Sequence, residues 1–123
     1  MRHFMILLML LLLSPNHLYA QTNQKDKTFK SFWTKFKAAV TKNNKEAVAS
    51  MTKLPFLFDS KKRTRSEFIK IYSQLFDAKV RKCFATAKVL KEGDAYEVFC
   101  AKKIFYFGEV DGRYRFTEFS PDD

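Results

Sequence analysis

The chain has 123 residues, a formal net charge of +10 and 16% aromatic residues, fourteen of them Phe. That is one domain's worth of chain, and its core must come from a few large rings. Two Cys, two His and three Gly leave no room for a Cys-rich metal scaffold or a Gly-rich phosphate loop.

Met1-Arg2-His3 is a short basic start, Phe4 to Leu13 is unbroken apolar sequence, and Ser14-Pro15-Asn16 interrupts it before Leu18-Tyr19-Ala20. This is the pattern of a secretory signal peptide cut after Ala20. The apolar run is shorter than the 20 or so residues that span a bilayer. Cleavage removes His3, His17 and Arg2, so the mature charge becomes +9 and no imidazole remains. Ser-His and Cys-His nucleophilic chemistry and His-ligated metals are then excluded. The expected destination is the periplasm or the cell exterior. Cys83 and Cys100 are the only cysteines, and in an exported protein an even count predicts a disulfide between them.

Residues 21–27 (QTNQKDK) are polar and aperiodic and read as a flexible tail, which leaves 28–123 as the folded domain. Thr28 to about Asn43 predicts an amphipathic helix, with Phe29, Phe32, Trp33, Phe36 and Val40 on one stripe and Lys30, Lys35, Lys37 and Lys42 off it. Asn44 is placed to cap a short second helix, Lys45 to Lys53, and Pro55 stops it. Phe56-Leu57-Phe58 reads as a short strand closed by Asp59-Ser60, and Lys61 to Arg65 as a basic loop. Thr64 and Glu67 have capping-box spacing before a third helix that buries Phe68, Ile69, Ile71, Tyr72, Leu75 and Phe76.

Strands are expected from about Val80. Val80 to Leu90 is the first, and Glu92-Gly93-Asp94 turns the chain into Ala95 to Ala101. On this reading Cys83 and Cys100 join neighbouring strands, about three positions out of register, with a bulge or a late strand start taking up the offset. The final pair, Ile104 to Phe119, meets at Asp111-Gly112, which favours a two-residue turn. That turn pairs Val110 with Arg113, and one-for-one steps from there put Phe105, Phe107, Tyr114 and Phe116 on the buried face. Tyr106, Gly108, Arg113, Arg115 and Thr117 go to the other.

The stretches AVASMTKLPFLFDSKKRTRSEFIKIYSQLF and FCAKKIFYFGEVDGRYRFTEF, residues 47–76 and 99–119, resemble the helix, short strand, third helix and closing strands of the NTF2-like superfamily. The resemblance implies an α+β fold in which three N-terminal helices pack on a curved antiparallel sheet, often around a conical pocket. Trp33, Tyr72 and Asp59 are the candidate pocket residues. Asp59 falls near the general base of the family's ketosteroid isomerases, although the first helix has Phe29, Phe32, Trp33 and Phe36 where those enzymes place a Tyr. Asp59 before Ser60 is also an ordinary turn residue.

No catalytic, cofactor or metal residues are assigned. Ser50-Met51-Thr52-Lys53 fits S-x-x-K by chance, since its partner motifs are missing. Lys61, Lys62, Arg63, Arg65, Arg113 and Arg115 are the candidate basic patch, whose partners outside a cell would be anionic polymers, lipid headgroups or acidic proteins. Export argues against nucleic acid. The reading is a non-enzymatic exported module that binds an apolar ligand or an envelope partner. The alternatives are a small NTF2-like enzyme working in the cone and a polyanion-binding surface protein.

Overall fold

The computed structural model describes residues 17–121 as backbone and 28–121 with side chains. The leader expected over 1–20 lies largely outside the described residues. Over the described residues the fold is α+β, with four helices and two antiparallel sheets.

Helix α1, His17–Thr41, is the longest element. In this uncut chain it carries residues 21–27 as helix, where a tail was expected. Phe29, Phe36 and Val40 are buried as the stripe predicts, and Phe32 and Trp33 are half-buried at its margins. Helix α2, Lys45–Ser50, is capped as expected: the Ala47 N–H donates to Asn44 Oδ1 at 3.1 Å.

The next segment departs from expectation. Phe56–Phe58 (β1) is paired with Lys61–Arg63 (β2), so the basic stretch is a strand and not a loop. Asp59 and Ser60 form the two-residue turn, both with left-handed φ (53° and 60°). Helix α3, Arg65–Leu75, starts on the predicted capping box. The Glu67 N–H donates to Thr64 Oγ1, and the Thr64 hydroxyl donates to Glu67 Oε1 at 3.0 Å. The Thr64 hydroxyl, and after it the Thr64 backbone N–H at 3.4 Å, hold the Glu67 carboxyl below its ordinary range.

The second departure is larger. Residues 80–90 are not a strand. A fourth helix, α4, Ala78–Phe84, takes the first five of them, capped by Asp77, whose Oδ1 accepts from the Val80 N–H at 2.9 Å. Val80 and Phe84, four residues apart on one face, are fully buried. Only Leu90–Glu92 (β3) is strand, and three N-terminal helices become four.

Ala95–Cys100 (β4), Lys103–Val110 (β5) and Arg113–Pro121 (β6) complete a meander in the order β3-β4-β5-β6. The Asp111-Gly112 turn has both φ values positive and starts the register as predicted, down to Phe107 opposite Phe116. Beyond that pair the predicted register fails. A bulge leaves Thr117 between partners, so Tyr106 faces Glu118 and Phe105 faces Phe119.

The disulfide joins Cys83 to Cys100 across 5.7 Å between Cα atoms. The pairing is as expected but the geometry is not: it ties α4 to the end of β4, helix to strand, so no strand offset has to be accommodated.

Between the helices and the sheet lies a core built of rings. Phe36, Phe68, Tyr72, Phe76, Phe84, Phe105, Phe107 and Phe116 are all fully buried. Phe76 alone meets Phe84, Phe105, Phe116 and Tyr72 at centroid distances of 5.0–5.8 Å. Such spacings are those of well-packed aromatic pairs.

Candidate functional site

The three candidate pocket residues do not meet. Tyr72 is fully buried, and its hydroxyl has no hydrogen-bond partner among the described residues. Burial pushes that hydroxyl up to about 12, against a smaller opposing pull from Arg81. Trp33 is half-buried and spends its ring on Phe84 and Phe107, at 5.6 Å from each. Asp59 is exposed in the β1–β2 turn. The space where a cone would open is occupied by Phe36, Phe76, Phe84 and Phe107.

The candidate basic patch is divided as well. Arg63 turns back to donate to the Phe58 carbonyl and lies over the Phe58 ring. Arg65 bridges to Glu46 at 3.0 Å and donates to Ser50 Oγ. Lys61 and Lys62 are exposed on β2. β1 runs along β6, with Phe56 against Phe116 and Phe58 against Phe119, and Lys61 and Lys62 line neither the groove of Arg113 and Arg115 nor the one beside Phe119.

Arg113 and Arg115 belong instead to a groove of about 640 Å3 between the middle of α1 and the start of β6. Its walls are Thr28, Ser31, Phe32 and Lys35 from α1, Met51 from the end of α2, and residues 112–115 of the hairpin. Phe32 and Tyr114 face each other across 6.4 Å and, with Met51, give it an apolar floor. Lys35, Arg113 and Arg115 bring three cations and no lining residue is a carboxylate. None of the three cations takes part in the Arg65–Glu46 or Lys103–Asp77 ion pair.

Thr28, Ser31 and Lys35 were not singled out by sequence reasoning, because polar residues beside an apolar stripe read as solvated. A signal was present: positions 28, 31, 32 and 35 share one helix face, so two hydroxyls, a ring and an ammonium stand in line. What the sequence could not supply is that the Asp111-Gly112 turn would stand opposite that line.

A second, smaller groove of about 350 Å3 is lined by Leu57, Phe58, Asp59, Ser60, Glu118, Phe119 and Pro121. It is apolar with a carboxylate at each side and carries no cation. Among the described residues no group of three His, Cys, Asp or Glu could hold a metal ion, and no helix is long and apolar enough to cross a membrane.

Comparison of the chain with protein-family models, with curated proteins and with solved structures finds no match.

Proposed function

We propose that this protein is an exported binding module with an NTF2-like roll, and that the groove of Lys35, Arg113 and Arg115 takes an amphiphilic anion. The observation that carries the reading is the composition of the groove: three cations at its walls over a floor of Phe32, Tyr114 and Met51. An apolar body gains from the floor, and an anionic head from the cations. Export rests on the leader pattern of residues 1–20, and the Cys83–Cys100 disulfide suits an oxidising compartment. The roll is supported by the element order, helices first and an antiparallel meander last, with the Thr52–Phe116 bridge laying the segment before β1 against β6.

The reading differs from a general polyanion binder in where the charge sits. Two of the six candidate cations, Arg63 and Arg65, are engaged within the protein, and Lys61 and Lys62 do not line the groove. It differs from an enzyme of the cone in having its polar groups outside the ring-filled interior. The groove that Asp59, the candidate base, lines contains neither Trp33 nor Tyr72.

Calorimetry with dodecanoate below its micellar concentration tests this, with dodecyl maltoside as the uncharged comparison. Dodecanoate is expected to bind at one site, and Lys35→Glu or Arg113→Glu to weaken it at least tenfold. Equal binding of the neutral detergent, or no response to either substitution, sinks the proposal. If Lys61→Ser with Lys62→Ser abolishes binding and the groove variants do not, the polyanion reading takes its place.

A further inference from the structure

The helices cover one face of the β3–β6 sheet. Tyr96, Val98, Phe105, Phe107, Tyr114 and Phe116 point to them and are buried. Alternation sends the intervening residues to the opposite face, and that face is unusually apolar for an open surface. Leu90 is 54% and Phe99 46% exposed, and Ile104, Tyr106 and Val110 are half-buried around them.

Two of the charges on this face stand at opposite edges of one row, while Glu97 and Glu118 flank Tyr106 in the next. Glu92 is paired with Ala95, and Gly108 with Arg115. One step from the Tyr96–Phe107 pair sets Ala95 beside Gly108. A single row across the sheet therefore reads Glu92, Ala95, Gly108, Arg115: an acid at one edge, at the other a base that also borders the Phe32–Tyr114 groove, and two minimal side chains between. Three strand spacings, about 14 Å, separate the ends. A later row reads Phe99, Ile104, Ser120.

Such a row is complementary to its own reverse. A two-fold axis parallel to the strands, midway between β4 and β5, lays two of these faces together with every row reversed. Glu92 of each copy then meets Arg115 of the other, and Phe99 meets Ile104 twice. Ala95 and Gly108 at the centre let the two sheets approach. We propose that the outer face of the sheet is the contact between two copies of this chain, keyed by reciprocal Glu92–Arg115 pairs.

Glu97 supports the choice of partner. It stands diagonally beside Glu92, and loss of hydration, followed by the hydrogen bond and charge of Glu92, holds its carboxyl above the ordinary range. A guanidinium arriving from a second copy relieves that repulsion. Four strands by six residues make a face of roughly 400 Å2 per copy, which is at the low end for specific association. The dimer is therefore reversible, with dissociation in the micromolar range.

Sedimentation of the purified, disulfide-bonded protein over about 2–200 µM tests this, a range that brackets such an affinity. A monomer–dimer equilibrium is expected. Glu92→Arg and Arg115→Glu should each weaken it at least tenfold, and the two together should restore it, because reversal of the row is then complete. Glu92 does not line the groove, so its variant reads the sheet contact alone. Phe99→Ser, at an exposed position, should weaken the dimer without loss of fold. A monomer at every concentration overturns the proposal. So does a dimer that ignores both charge reversals, or one that the double exchange fails to restore. Mass gained only when a different protein is added would assign the face to another occupant and overturn it too.

Discussion

Phe119 lies against Phe105, with 5.7 Å between ring centroids, on the face that strict alternation from the Asp111-Gly112 turn denies it. The bulge at Thr117 is what turns it inward. Thr117 itself is held in place by its hydroxyl, which donates to the Tyr106 carbonyl at 3.1 Å. Phe119 also meets Phe58 of β1 at 6.0 Å, so the bulge couples the small hairpin to the main sheet. Truncation of a half-buried ring costs less than the 3–5 kcal/mol of a fully buried one, and Phe119→Ala should cost about 2 kcal/mol, against about 4 for Phe107→Ala. Urea unfolding checks both. A loss under about 0.5 kcal/mol for Phe119→Ala, the scale of an ordinary surface change, would mean that the ring is not part of the core.

The Asp77 carboxylate caps α4 and accepts from Lys103 Nζ at 3.3 Å. The Val80 N–H, and after it Lys103, hold its carboxyl below the ordinary range, partly offset by burial. A depressed carboxyl contributes stability that is present above its unfolded value and is lost as pH falls through its folded value. Asp77→Ala should therefore cost about 1 kcal/mol near pH 6, as a lost cap does. The cost should shrink as the pH falls from about 4, the ordinary value of a free carboxyl, down through the lower value of the folded Asp77. Urea midpoints of both proteins across that range measure it. A penalty that grows on acidification would contradict the sign.

Tyr72 keeps a hydroxyl in the core with no partner among the described residues. An unsatisfied buried oxygen costs roughly 1–3 kcal/mol. Tyr72→Phe should leave the fold unchanged and raise stability by about 1 kcal/mol. A loss of that size would show that the oxygen is hydrogen-bonded in solution.

These elements also show what could be read from the chain before its structure. The Phe29–Val40 stripe, the Thr64–Glu67 box and the Asp111-Gly112 turn are local signals, and each appears where its spacing puts it. Residues 80–84 read as strand because Val80 and the β-rich end of the segment outweigh Asp77 as a cap and the helical spacing of Val80 and Phe84. Lys61–Arg63 hid a strand because nothing in three consecutive cations alternates, and Asp59-Ser60 lacks the Gly that usually marks such a turn. The filled interior was not legible at all. Whether a sheet over helices encloses a cavity depends on how Phe36, Phe76, Phe84 and Phe107 interlock, and all four are simply apolar in the sequence. The groove failed to show for the opposite reason: α1 and the last hairpin supply its two sides from some eighty residues apart.

The disulfide holds α4 against β4, and α4 supplies Val80 and Phe84 to the core. Seventeen residues separate its cysteines, and a loop of that length constrains the unfolded chain by about 3 kcal/mol. Unfolded, unreduced protein should show no free thiol, and reduction should lower stability by about that amount. Two titratable thiols would mean that the bond does not form in solution.

Mapping amide shifts on adding dodecanoate tests the central claim most directly, because it locates the ligand without presuming its path. The groove reading predicts shifts confined to Thr28–Lys35, Met51 and Gly112–Arg115, with Tyr72, Phe76 and Phe105 unmoved. Shifts centred on Trp33, Tyr72 and Phe76 would mean that the ring-filled interior opens to admit ligand, and would contradict the account.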